Sequence, residues 1–176
     1  MKTRLLTTLL LLTLTGITQA ESAPNIDVGF SPDAGAEDIV LNVIHSSHQS
    51  IRLAAYSFTS KPVIKELLAA KRRGVDVQCV LDKSNVKSRS GIAAAILLVN
   101  AGIPVRIDFQ HPIHHNKFIV ADGKNVETGS FNYSDAAAHK NAENALVIWN
   151  DQALASKYEH NWQLHWGHSE VYKSNY

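Results

Sequence analysis

From Asn25 to Phe109 short β-type runs alternate with amphipathic helical patterns, and then the alternation stops. That change of rhythm constrains the fold more than any other feature of the chain. The periodicity predicts strands over 25–30, 50–58, 75–81 and 104–109, separated by helices over 37–48, 62–73 and 92–101. Ser60 ahead of the second helix, and Gly74 and Gly102 just past the ends of the second and third, supply start and stop signals. Strand–helix–strand units of this kind make parallel neighbours covered on both faces. Runs over 115–121, 126–131 and 143–149 then follow with no long helix between them, which makes them antiparallel neighbours. A closing helix over 151–166, with Asn150 as its cap, carries Leu154, Tyr158, Trp162 and His165 along one stripe. The expected class is α/β, a mixed, largely parallel sheet sandwiched by helices. A chain of 176 residues, 45% hydrophobic and 19% charged, has room for one compact core and no second catalytic domain.

The first twenty residues read differently. Lys2 and Arg4 precede an apolar stretch from Leu5 to Ile17, and Thr18-Gln19-Ala20 closes it, the pattern of a secretory signal peptide over 1–20. The apolar run falls short of the roughly 20 residues that a spanning helix needs. The expectation is a mature domain over 21–176, periplasmic or secreted, with no stable membrane association after cleavage. Cleavage removes Lys2 and Arg4 from the 17 basic residues, leaving 15 against 16 acidic, net −1. Bulk charge therefore does not advertise nucleic-acid binding. The lone Cys79 cannot form an intrachain disulfide and sits in the apolar run Val77 to Leu81, where it reads as packing.

The segment HHNKFIVADGKNVETGSFNYSD, residues 114–135, carries the chemistry. Side chains alternate faces along a strand, so His115 and Lys117 share one face while Phe118 and Val120 point to the other. Asp122-Gly123 signals a tight hairpin. A turn centred on Gly123 and Lys124 sets Lys117 opposite Ser130, His115 opposite Asn132 and Gly129 opposite Phe118, and an odd-length turn would break that register. An imidazole, an ammonium, a hydroxyl and an amide then converge, which is what a phosphodiester needs. Lys117, Ser130 and Asn132 can neutralise and hydrogen-bond its non-bridging oxygens, and neutral His115 can attack phosphorus.

These residues resemble the phospholipase D superfamily, whose signature is His, any residue, Lys, any four, Asp, then six residues to Gly-Ser. Here that is His115, Lys117, Asp122, Gly129 and Ser130, with every position matched. The chain is most similar to the small single-motif bacterial endonucleases of that superfamily. The resemblance implies a phosphodiesterase without metal or cofactor, cleaving DNA, with RNA a further candidate, without sequence choice. His115 would form a covalent phosphohistidine, and a second motif histidine would be the general acid. Glu143 would support the histidine from the next strand, and Asp122 would hold the turn rather than touch substrate. No other histidine is followed two positions later by Lys. One chain thus supplies half a site, and the family logic requires a homodimer with two His115 side chains at a two-fold axis.

Other readings stand beside this one. Phospholipase activity is disfavoured by size, since one motif per chain leaves no extra lobe or lid for acyl chains, and a binding protein without turnover has no need of the full residue set. His111, His114 and His115 with Asp108 have the spacing of a metal cluster, although His115 is claimed by the fuller pattern. His160, His165 and His168 read as surface or packing residues, too irregularly spaced for one helical face. Trp149, Trp162 and Trp166 read as core. Arg72 and Arg73 sit where cations favour a helix C-terminus. The basic stretch 83–91 reads as a flexible loop, either solvated or in contact with substrate.

Overall fold

The computed structural model describes residues 25–173, so the expected signal peptide lies outside the described residues. The strands are β1 (Asn25–Ser31), β2 (Ser50–Ala55), β3 (Asp76–Asp82), β4 (Val105–Asp108), β5 (Lys117–Ala121), β6 (Asn125–Gly129), β7 (Glu143–Trp149) and β8 (Glu170–Val171). They form one sheet in the order β1-β7-β6-β5-β2-β3-β4-β8. The helices are α1 (Ala36–His45), α2 (Lys61–Arg72), α3 (Arg89–Asn100), α4 (Asp135–His139) and α5 (Gln152–His168). The architecture is the expected mixed α/β sandwich. Among the named strands, parallel pairing joins only β2 to β3 and β3 to β4, so the sheet is mixed but mostly antiparallel rather than largely parallel. β5, β6 and β7 form the expected antiparallel meander, and β1, β5 and β8 join their neighbours β7, β2 and β4 antiparallel. The short α4 and β8 escape the sequence pattern because neither is as long as the window that reveals a period.

Each face of the sheet buries its own core. On one side Leu53, Val77, Leu81, Ile107, Ile119 and Val147 meet Val40, Val43, Leu67 and Leu98 from α1, α2 and α3. On the other, Ala54, Val80, Phe118, Val120 and Val126 pack under Ala155 and Trp162 of α5. Trp162 also donates its indole N–H to the Leu53 carbonyl at 2.9 Å, so α5 is pinned to the middle of the sheet. Cys79 lies in the first core, where burial pushes its thiol up to about 12, as packing requires.

The capping signals translate directly for α2, where Ser60 accepts from the Val63 N–H, but not for α5. Asn150 adopts φ 58°, outside the extended geometry of a cap, and Asp151 instead accepts from the Leu154 N–H at 2.8 Å. The helix expected over 37–48 ends at His45. The N–H groups of His48, Gln49 and Ser50 turn away to donate to the Asp122 carboxylate at 2.7–3.2 Å, which anchors the start of β2. Burial opposes the charge on Asp122, but these three amides hold its carboxyl below the usual value.

The hairpin register differs from the expectation by one residue. Asp122 and Gly123 both have positive φ, Lys124 N–H donates to the Ala121 carbonyl, and the turn is three residues long. Phe118 therefore faces Thr128 and Ile119 faces Glu127. Gly129 faces Ala145 on β7, where an added Cβ would lie 2.2 Å from the Asn144 carbonyl oxygen. Close approach of the neighbouring backbone, not room for Phe118, explains that glycine.

Candidate active site

β5 begins at Lys117, so His115 lies in the β4–β5 loop just before the strand, and its ring is exposed. The loop is fastened from behind. Asp108, at the C-terminal end of β4, accepts from the backbone N–H groups of Gln110 and His111. Asp82, at the end of β3 and paired with Asp108 in the parallel ladder, accepts from the His114 N–H at 2.7 Å. Lys83 donates to the His111 carbonyl at 2.8 Å.

The basic stretch 83–91 is not an open loop. It forms a 3₁₀ turn at Asn85–Lys87 and opens α3, with Ser88 accepting from the Gly91 N–H. Buried Asn85 accepts from the Phe58 N–H and donates to the carbonyls of Tyr56 and Asp82. That fixes Tyr56, whose ring centroid is 4.7 Å from that of His115. Sequence reasoning missed Asp82, Asn85 and Tyr56. The available signal was two carboxylates ending adjacent parallel strands, where open α/β sheets place their sites.

Lys117 is buried, with its ammonium donating to the His115 carbonyl at 2.7 Å and lying 5.2 Å from the Tyr56 ring centroid. Burial pushes its pKa below the ordinary lysine value, opposed by the nearby Glu143 carboxylate. Glu143 accepts from the Asn141 side chain at 3.1 Å. Among the described residues no hydrogen bond joins Glu143 to the His115 ring within one chain. Ser130 follows β6, where its own N–H and that of Phe131 both donate to the Asn144 carbonyl, and its hydroxyl accepts from the Asn144 N–H at 3.0 Å. Asn132 keeps a buried side-chain oxygen without a partner. The shifted register thus places Ser130 and Asn132 beyond the strand end rather than in cross-strand pairs with Lys117 and His115.

A cleft of about 350 Å³ opens beside these groups, lined by His115, Asn116, Lys117 and Thr128 and, from α5, by Lys157 and Asn161. An imidazole and two ammonium groups border one space. The arrangement can hold a phosphodiester anion against Lys117 with His115 at its edge. Lys157 was not anticipated, since nothing local distinguishes it from a solvated helix lysine.

A second titratable group lies directly behind the cleft. His111, His114 and His168 approach Asp108 Oδ2 at 2.9, 2.9 and 3.2 Å, and His165 Nδ1 lies 3.3 Å from the same atom. Burial works against ionisation of Asp108, but hydrogen bonds from His111, His168, the Gln110 amide and His114 hold its carboxyl well below the usual range. Burial likewise lowers the pKa of His114, with the neighbouring His165 adding to the effect. His165 and His168 are therefore not the surface or packing residues that their spacing suggested, because one turn of α5 brings both to the end of β4. His115 stands apart from the set.

The family model described as "Cardiolipin synthase, PLD-like domain" matches residues 40–166. "Phospholipase D" of Rickettsia typhi is 38% identical over 141 residues, covering 80% of this chain and 68% of its own. The crystal structure of a phospholipase D family member, Nuc, from Salmonella typhimurium superposes with a TM-score of 0.84 at 47% identity, covering 86% of this chain and 99% of that one. NucT from Helicobacter pylori superposes with a TM-score of 0.74 at 22% identity, covering 85% and 99%, a likeness of fold.

Proposed function

The chain belongs to the phospholipase D family as a phosphodiesterase, and from that premise we propose that it is an endonuclease acting on nucleic acid through His115. The observation that carries this reading is the shared cleft of His115, Lys117 and Lys157. Clustered cations beside an open groove suit a polyanionic backbone.

The reaction runs in two displacements. His115 attacks phosphorus, a P–N bond forms, and the P–O bond to the leaving strand breaks. A protonated imidazole gives its proton to that departing oxygen. Water then attacks the phosphohistidine, passes a proton back to the same imidazole and regenerates His115. Lys117, with Ser130 and Asn132, stabilises the charge on the non-bridging oxygens, and Glu143 orients a histidine. Asp122 supports this site by anchoring the hairpin rather than by touching substrate.

One chain offers one such histidine, so the proton donor is the partner subunit's His115 in a homodimer. An uncovered apolar row supports association: Ile26, Val28 and Phe30 are exposed on β1, next to half-buried Leu146 on β7. The pattern from Lys2 to Ala20 supports export to the periplasm or beyond.

The name carried by the Rickettsia relative favours a second reading, in which the diester is a lipid. One panel separates the two. Purified full-domain protein is incubated with plasmid DNA, with RNA and with phosphatidylcholine vesicles. Strand scission without headgroup release supports the endonuclease; headgroup release without scission replaces it with a lipase.

A further inference from the structure

We propose that Asp108, His111, His114 and His165 form a binding site for one transition-metal dication of the zinc class, which latches the C-terminal turn of α5 to the loop carrying His115. One donor atom from each of these residues lies within 4.8 Å of those of the others. Three nitrogens stand 2.9–3.3 Å from the single oxygen Asp108 Oδ2. Donors 2.0–2.1 Å from a common zinc ion are spaced about 3.3 Å apart along the edges of a tetrahedron, so little movement separates this cluster from a coordinated one.

Hydrogen bonding alone accounts poorly for the geometry. Asp108 Oδ2 has two lone pairs, yet His111, His114 and His168 are all within hydrogen-bond distance of it. The His165 Nδ1 atom, 3.3 Å away, makes no hydrogen bond at all and is buried. His114 is wholly enclosed, with its Nδ1 turned to the same oxygen at 2.9 Å. A buried nitrogen left unpaired is costly, and a cation bound beside Asp108 Oδ2 would offset that cost at His165 Nδ1. Imidazole and carboxylate donors suit zinc and its neighbours, whereas calcium and magnesium require oxygen-only cages.

Four protein ligands close the coordination sphere, the mark of a structural rather than a catalytic ion, and His168 stands at the rim. Three ligands come from the end of β4 and the loop that follows it, and the fourth from α5, which is remote in sequence. His165 also meets Asn116 of the cleft wall, with its Nε2 atom 3.5 Å from the amide nitrogen, so the ion would stiffen the wall from behind. The inference is independent of the reading of His115.

The test uses the full domain, stripped with chelator and titrated with zinc and, separately, with cobalt(II). The expected result is one ion per chain by mass spectrometry and the visible absorption of tetrahedral cobalt. Zinc at a hundredfold above its Kd should raise Tm by about 5–10 °C. His111→Ala, at a half-exposed ring, should fold and lose more than about a hundredfold in affinity, beyond the roughly 10–100-fold that losing an outer-shell partner costs. His139→Ala, at an exposed surface pair with Asp33, should bind as wild type does. Absence of saturable binding with an unmoved Tm overturns the site, as does unchanged affinity in His111→Ala. Hydrolysis by the stripped chain, assayed below its Tm, separates roles: retained turnover fits a latch, while turnover lost in a folded chain and restored by zinc overturns it in favour of an ion used in the reaction.

Discussion

Lys117 donates its ammonium proton to the carbonyl oxygen of His115 at 2.7 Å, so one short span of backbone positions both the cation and the imidazole. The bond holds the ammonium at the strand end, beside the cleft, instead of letting it reach into solvent. The two groups are therefore preorganised before substrate arrives.

Lys117→Ala should lower kcat by at least about 10²-fold, the scale of losing one preorganised charge stabiliser, while circular dichroism stays native. Lys117→Met fills the same space and should be equally slow. Near wild-type turnover in either variant would remove Lys117 from the site.

Lys157 should act through binding. Lys157→Ala is expected to weaken DNA affinity evenly across sequences and to reduce the slope of log K against log salt by about 1. Titrations at several salt concentrations check this, and an unchanged slope would mean that Lys157 contacts no phosphate.

Glu127 gives a prediction about stability. Burial pushes its carboxyl up to about 8, against the opposing hydrogen bond from the Tyr133 hydroxyl at 2.7 Å. The folded chain thus keeps a proton that the unfolded chain releases near pH 4.5. This contribution is complete below that pH, declines as pH rises toward 8 and is constant above it. Glu127→Gln should flatten that part of the profile, with a difference on the order of a few kcal/mol between the ends of the window. Denaturant melts from pH 5 to 8.5 test it; parallel profiles for the two proteins would contradict it.

The shared site predicts a bell-shaped pH–rate profile, both limbs belonging to a coupled histidine pair. It also predicts the behaviour of a purified heterodimer of one wild-type and one His115→Ala chain. That species keeps a nucleophile and loses the acid. It should fail on DNA, whose alkoxide needs a proton, yet form phosphohistidine from a p-nitrophenyl diester, whose leaving group departs unaided. Half of wild-type activity on DNA would mean independent sites.

What was legible in the sequence follows from how local each determinant is. His115 and Lys117 are two residues apart, so strand alternation and the family spacing find them together. The register of the hairpin was not legible. Asp122 takes a positive φ and spends its carboxylate on the amides of residues 48–50, and that distant partnership accompanies the odd-length turn. His165 and His168 were misread for a related reason. Their partner Asp108 ends β4, far away in the chain, and only the return of α5 and β8 alongside that strand brings them together. Among the overall elements, long periodic helices and the β5–β6–β7 meander were readable, whereas α4 and β8 were too short.

The central claim is that His115 becomes covalently phosphorylated during turnover. The direct measurement is acid-free quenching of the protein during hydrolysis of bis(p-nitrophenyl) phosphate, followed by peptide mass spectrometry. The account predicts a phosphoryl adduct on His115 that appears within the first turnover, decays as product forms and is absent in His115→Asn. Sustained turnover with His115 unmodified, or an adduct on any other residue with His115→Asn still active, would contradict it.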